Sequence, residues 1–257
     1  MSPPARLALA AALLTAAPSI SLAADRLTTL SLGADYTKGN YGQSESTEIL
    51  NVPITAKYET GRWVYKLVLP YIRITGPGNV VGADRVTLPG QAAGQRTESG
   101  LGDVIGSVAY GVLSGADVPV FLDLTGKIKF GTADENRGLG TGKTDYSLQL
   151  DAYQAYGRFT PFATLGYRWY GDPEGFDLIN VYYGSLGLSY RISPSTSAGL
   201  AYDARNRIVE GGARVREATG FVSYKFSPAW KLQLYAIKGY ADASPDKGGG
   251  AVLAYSF

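Results

Sequence analysis

From Val120 to Phe130 apolar and polar positions alternate. Val120, Leu122, Leu124, Gly126, Ile128 and Phe130 share one face; Asp123, Thr125, Lys127 and Lys129 lie opposite with Phe121. Alternate side chains of a β-strand point to opposite sides of its sheet. This stretch therefore predicts a strand with one apolar side and one charged side. The same period recurs along the chain. Thr29 to Tyr36, Thr47 to Tyr58, Trp63 to Ile74, Gly102 to Val112 and Asp145 to Tyr156 each read as strands. Further segments run at about Phe159–Tyr170, Ile179–Ile192, Thr196–Arg205, Glu217–Phe226, Trp230–Tyr240 and Gly249–Phe257. The count is about twelve, and an even number is the rule for bacterial membrane barrels. Beyond the first residues no window sustains a 3.6-residue apolar repeat.

The connections alternate in length. Short ones fall at Thr60-Gly61-Arg62, Gly157-Arg158, Ser193-Pro194-Ser195 and Ser227-Pro228-Ala229, with a slightly longer one from Leu113 to Val118. Between them lie Thr37–Ser46, Thr75–Ser99, Thr132–Thr144, Gly171–Leu178, Asn206–Arg216 and Ala241–Gly248. Short turns on one rim and long loops on the other describe an outer-membrane barrel. Aromatic residues sort toward the same two rims. Tyr58, Trp63, Tyr110, Phe159, Tyr190, Tyr224, Phe226, Trp230 and Phe257 lie toward the short turns. Tyr36, Tyr71, Phe130, Tyr146, Tyr167, Trp169, Tyr182 and Tyr202 lie toward the long loops. Rings with one apolar and one polar end favour the membrane interface, so two girdles are expected. The predicted fold is all-β: a transmembrane, antiparallel, up-and-down β-barrel of about twelve strands, with Leu122, Leu124 and Ile128 toward lipid.

The first 24 residues read differently. Arg6, an apolar run from Leu7 to Ala17, and small residues at Ser21-Leu22-Ala23-Ala24 have the layout of a cleaved signal peptide. The apolar run is too short to span a bilayer as a helix. The barrel is expected over residues 25–257. Composition agrees with strands and tight turns: the chain has 33 glycines and 19 tyrosines. It has no cysteine, which removes disulfides and thiolate metal sites, and no histidine, the commonest metal ligand and general base. No cofactor is expected. The formal net charge of +2 gives no field that would draw nucleic acid.

The chain ends with Ala251, Leu253, Tyr255 and Phe257 on one face. On closure against the first strand these residues would face lipid, satisfying both sheet edges. This ending is similar to the C-terminal targeting signal of bacterial outer-membrane proteins, which implies recognition by the barrel-insertion machinery. A second resemblance begins at Gly100-Leu101-Gly102-Asp103 and continues through KIKFGTADENRGLGTGKTDYSLQLDAYQAYGRFTPFATLGYRWYGD, Lys127 to Asp172. A strand ending in Phe-Gly-Thr, a Gly-Thr-Gly loop, then Thr-Asp-Tyr and a hairpin resemble the outer-membrane family called "putative meta-pathway of phenol degradation". The resemblance spans roughly Gly100 to the C-terminus and implies a transporter, with uptake of aromatic compounds suggested by the family name. Within it, Gly142-Lys143-Thr144 imitates a phosphate-binding loop. Arg137 stands where that pattern needs glycine, however, and a strand follows where a helix is required.

The polar faces carry the candidate chemistry. Pointing inward are Lys66, Asp103, Asp123, Lys127, Lys129, Asp145, Gln149 and Asp151 from the first half of the barrel. Arg168, Arg191, Asp203, Arg205, Glu217, Lys225 and Lys231 follow from the second half. Lys57, Tyr170, Gln233 and Tyr235 share that side. Three roles fit. One is a narrow charged lumen passing small solutes, with outer-membrane lipid outside. A second is a filled barrel with a structural or surface-interaction role, displaying the Thr75–Ser99 loop. The third is an enzyme, for which an Asp103–Asp123 pair is the remaining arrangement, since a lipase-type site needs a histidine.

Overall fold

The computed structural model describes residues 26–88, 94–113 and 120–257. The expected signal peptide and the 114–119 connection lie outside the described residues. The described residues form fifteen strands: β1 Arg26–Gly39, β2 Thr47–Thr60, β3 Trp63–Gly76, β4 Val80–Val81, β5 Val86–Thr87, β6 Arg96–Leu101, β7 Ile105–Leu113 and β8 Phe121–Lys129 in the first half. The second half contributes β9 Asp145–Tyr153, β10 Phe159–Trp169, β11 Val181–Arg191, β12 Thr196–Arg205, β13 Val215–Lys225, β14 Trp230–Gly239 and β15 Lys247–Ser256. There is no helix among the described residues.

Thirteen of these strands form one sheet, in which each wall strand pairs antiparallel with its sequence neighbours. Both β6 and β7 pair with β3, as the two halves of one broken wall strand. The wall is therefore a twelve-stranded barrel, and β4 and β5 form a separate hairpin. The last strand meets the first: Leu30 lies opposite Tyr255 and Ala34 opposite Ala251. Thr28 and Phe257 exchange both backbone hydrogen bonds, at 3.0 and 2.9 Å. Closure leaves no unpaired edge, which hydrocarbon would penalise heavily.

The break between β6 and β7 departs from the single Gly102–Val112 strand read in the sequence. A side chain at Gly102 would overlap Ile72. Its N–H donates to Pro70 O at 2.8 Å, the last rung in the β6 register, and pairing resumes one residue out of step with Ile105 opposite Val68. Asp103 turns inward in the gap. The long Thr75–Ser99 loop is correspondingly shorter than expected, because Arg96–Leu101 already pairs with β3.

The faces fall as the alternation predicts. Leu32, Ile54, Leu124, Leu165, Leu186, Leu200 and Leu234 are exposed on the outside, while Asp123, Thr125, Lys129, Gln149 and Asp151 are buried inside. Such an apolar outer belt is solvated only by lipid. The girdles are present as ring contacts. Trp63 meets Tyr110 at 4.7 Å, and Trp230 meets Tyr255 at 4.8 Å, on the short-turn rim. On the long-loop rim Tyr167 meets Tyr182 at 4.7 Å and Trp169 at 4.9 Å.

Candidate functional site

The outer mouth is crossed by the β4–β5 hairpin. Gly82 turns it at a φ of 69°, and Arg85 N–H donates to Gly82 O at 3.2 Å. Arg85 itself has a φ of 55°, uncommon for a residue with a side chain. One side of the hairpin packs on the wall it leaves: Val80 joins Tyr41, Ile49, Ile72 and Ile74. Val81 and Val86 reach the far wall, packing with Tyr170, Leu178, Val181 and Ile208. The hairpin therefore spans the mouth from β2–β3 to β10–β13.

Two ion pairs hold its tip. Asp84 meets Arg168 of β10 at 2.8 Å, and Arg85 meets Glu217 of β13 at 3.1 Å. Enclosure in the barrel works against ionisation of Asp84. Arg168, Lys129 and Arg205 outweigh it and hold the carboxyl well below its ordinary value, at about 2. The pairing continues along the wall. Lys129 bridges Asp103 at 2.6 Å and Asp145 at 3.5 Å, and Arg168 also reaches Asp145 at 3.6 Å. Arg168 lies 5.0 Å from the Tyr170 ring centre. Asp103 also accepts the Ala133 N–H at 3.0 Å, fastening the 130–144 loop. Gly140 of that loop packs against the Asp103 carboxylate, so the glycine-rich stretch is a wall contact with strand β9 following it.

Below the mouth the wall carries a second polar group. Asp151 accepts from Thr164 at 2.6 Å, Gln149 at 2.7 Å and Thr125 at 3.2 Å. Tyr183 O–H donates to Gln149 at 2.9 Å. Asp123 is the direct cross-strand neighbour of Asp151. Asp103 and Asp123 are not brought together: six residues of β8 separate Asp123 from Lys129, about 20 Å of strand. The remaining candidates are spread out. Asp203 lies opposite Glu217, and Arg205 donates to Asp84 O at 3.5 Å. Lys225 pairs in register with Lys231 near the short-turn rim, where exposed Arg191 donates to Gly157 O at 2.7 Å.

Four inward rings lie on glycines directly across from them. Tyr183 covers Gly166, Phe162 covers Gly187, Phe221 covers Gly199, and Tyr235 covers Gly250. A methyl group at any of these glycines would overlap its ring. The rings therefore lie along the wall, where a side chain on the glycine would push them toward the axis. Beneath the hairpin is a cavity of about 210 Å³, bordered by Asp35, Asn51, Lys66, Asp84, Arg85 and Tyr235, among others. A larger space of about 900 Å³ lies at the wall where Gly106 and Gly126 lack side chains. Lys57, Lys66 and Lys127 border it together with outer residues such as Tyr65, Phe130 and Trp169. The candidate set drawn from the sequence contains neither Asp84 nor Arg85. Strand parity would have found Tyr183, Phe162 and Phe221, which share faces with polar residues; nothing in the loop marks the tip.

The family described as "Putative MetA-pathway of phenol degradation" matches residues 28–257. The chain belongs to that family. A crystal structure of an outer membrane channel from Pseudomonas putida F1 matches with a TM-score of 0.67 at 16% identity, covering 90% of this chain and 95% of that one. The NanC porin matches with a TM-score of 0.53 at 11% identity, over 88% of this chain and 98% of that one. The beta domain of the Bordetella autotransporter BrkA matches with a TM-score of 0.52 at 16% identity, over 90% and 99%. No curated protein matches the sequence. A channel, a porin and an autotransporter domain share this outer-membrane barrel, so the role of the lumen has to be argued from its residues.

Proposed function

We propose that the protein is a passive channel for small solutes across the outer membrane. Its narrow lumen is capped at the outer mouth by the β4–β5 hairpin. The observation that carries this reading is the set of four inward rings laid on cross-strand glycines. Bulky side chains fill barrels of about eight strands, and barrels of about sixteen enclose water. At twelve strands, space depends on where the large side chains go, and here they follow the wall. In this reading Lys57, Lys66, Lys127, Asp203, Lys225 and Lys231 border the path below the hairpin. Asp103, Lys129, Asp145, Arg168, Arg205 and Glu217 frame the mouth. Asp123, Gln149 and Asp151 brace the wall, and Arg191 stands at the periplasmic rim. With no histidine in the chain, the usual base for acyl transfer is missing, and the reading is of a channel and not an enzyme.

Purified protein in planar bilayers should show stepwise conductance. A silent wild type with an intact barrel would favour a filled structural barrel, the reading supported by the nearly inaccessible Lys129, Asp145 and Glu217. The glycines give a sharper test. The atoms nearest to a side chain at Gly166 all belong to the Tyr183 ring and hydroxyl, with no backbone among them. Gly166→Ala should therefore leave folding intact, swing that ring into the lumen and lower single-channel conductance. Unchanged conductance would remove the rings from the path. Aromatic compounds are the first solutes to test, given the family description and the lining rings. Liposome uptake of phenolic acids, compared with sugars of similar size, is the direct measurement.

The C-terminal strand supports a reading of biogenesis as well. Phe257 sits on the outer face beside Tyr255, ring centres 5.6 Å apart, and its backbone closes the barrel. In this reading the insertion machinery engages the strand through that terminal ring. Deleting Phe257 should reduce outer-membrane insertion and leave protein in the periplasm. Normal insertion on fractionation would exclude that role.

A further inference from the structure

One row of inward positions in this barrel carries cations and hydroxyls without a carboxylate. Cross-strand register links Lys57 of β2 to Lys66 of β3, Lys66 to Ser107 of β7, and Ser107 to Lys127 of β8. Lys127 is linked to Ser147 of β9, and Ser147 to Arg168 of β10. In the other direction Lys57 continues to Thr29 and then Ser256, whose hydroxyls meet at 2.9 Å. Eight successive wall strands thus contribute cations or hydroxyls to one row. No carboxylate lies in it, although Asp35, Asp123, Asp151 and Glu217 occupy the same inner face in other rows. Like charges placed directly opposite on a sheet, such as Lys57 and Lys66, are destabilising. A row that keeps them is using the charge for something other than stability.

The row climbs. Barrel strands lie about 4.8 Å apart and tilt about 40°. Following the register from strand to strand therefore rises about 3 Å at each step. Lys57 lies three residues from the turn after β2, at the periplasmic end, and Arg168 lies one residue from the outer end of β10. The cations make a helical stair from the periplasmic rim to the hairpin latch. Its two ends are partly neutralised: Lys57 pairs with Glu59 at 2.9 Å, and Arg168 pairs with Asp84 and Asp145. Lys66, in the middle, makes no ion pair among the described residues and borders the cavity beneath the hairpin. The nearby Asp151 carboxylate is turned into the wall by Gln149, Thr125 and Thr164.

We propose that this stair is an anion track, and that the solutes it takes are small aromatic carboxylates. The inference rests on the reading of the lumen as a solute path and supplies its substrate class. Lys66 and Lys127, spaced by the Ser107 hydroxyl, are single-point charges that can pass one carboxylate along by successive weak sites. A doubly charged phosphate is better met by paired arginine forks. The ring of the solute is met by the wall itself. The Lys127 ammonium stands 5.9 Å from the Tyr183 ring centre, and Tyr183 lies flat on Gly166. Stacked Phe121 and Tyr153, with Phe162 and Phe221, continue an aromatic patch toward the short-turn rim. One charge and one ring is the ligand that a cationic row beside an aromatic patch would select.

Benzoate is the probe, titrated calorimetrically into the detergent-solubilised protein at constant salt, with benzyl alcohol as the uncharged match. Benzoate should bind, and benzyl alcohol should bind about tenfold more weakly or not at all, as expected when a charge-assisted hydrogen bond is lost. Lys66→Gln with Lys127→Gln should lower benzoate affinity by a similar factor. In bilayers the same pair should move the reversal potential toward cations. Lys66→Arg with Lys127→Arg should retain both properties. Equal affinities for benzoate and benzyl alcohol in the wild type would overturn the proposal without any variant, as would undiminished benzoate binding by the folded Gln pair. Benzoate binding without conductance would sink the channel reading and leave the anion site standing. Conductance without charge discrimination would do the reverse.

Discussion

Releasing the hairpin should turn a narrow channel into an open one. Asp84→Ser, Arg85→Gly and Glu217→Gln made together should raise single-channel conductance severalfold, with the barrel still formed. The hairpin belongs to no wall strand, and its tip is fastened by the two ion pairs at 2.8 and 3.1 Å. Glycine at position 85 also relieves a left-handed backbone held by a residue with a side chain. Glu217 is included because removing Arg85 alone would strand a buried carboxylate, a change that typically costs about 3–5 kcal/mol. Arg168 keeps a partner in Asp145. The Asp84–Arg168 half of the latch should also be insensitive to mild acid. Asp84 is held at about 2, below its ordinary 3.8. A depressed carboxyl contributes stability above its unfolded value and loses it as pH falls through the folded one. The Asp84–Arg168 pair should therefore stay formed at pH 4, and with Arg85→Gly and Glu217→Gln in place, so that this pair alone holds the tip, conductance should be the same at pH 4 as at pH 7. If the triple variant conducts like the wild type, the constriction lies elsewhere in the lumen.

What could be read from the sequence divides along a physical line. A strand in lipid must satisfy its backbone by pairing and must alternate its faces, so residues such as Leu32, Leu124 and Leu234 announce the outer wall without any knowledge of their neighbours. Phe257 announced closure for the same reason. The interior is less legible, because parity assigns a residue to the inner face without saying what it meets there. Lys127 and Lys129 share that face and look equivalent in sequence. In the structure Lys129 is locked between Asp103 and Asp145, while Lys127 stands by Tyr183 in the cationic row. The separation comes from register, which depends on turn lengths and on the break at Gly102. Register also puts Lys57, Lys66 and Lys127 in one row without a carboxylate, while Lys129 faces Asp145 in another. Asp84 and Arg85 were the least visible of all. They sit in a loop with no periodicity, and their partners lie 84 and 132 residues away.

Ile54→Arg should abolish efficient insertion of the barrel, while Thr55→Arg, one residue away, should be tolerated. Ile54 lies at the middle of β2, is 55% exposed and has Leu32 and Leu69 beside it on the outer face. A guanidinium there must be placed in the hydrocarbon core, at a cost of about 2–4 kcal/mol near the midplane. Thr55 points inward and borders the cavity beneath the hairpin, which Asp35 also lines. An arginine at that position would meet water and a carboxylate. Leu124 is an outer-face position of the same kind, but it makes a poorer matched pair. Its neighbour Thr125 is 4% exposed and donates to Asp151 at 3.2 Å, so arginine at 125 would break the wall network. Equilibrium folding into lipid vesicles, followed by heat-modifiable migration on gels, separates the two substitutions. Equal destabilisation at 54 and 55 would mean that the cavity is too tightly packed to admit a side chain. Equal tolerance would mean that Ile54 does not face lipid, and the barrel would have to be turned inside out.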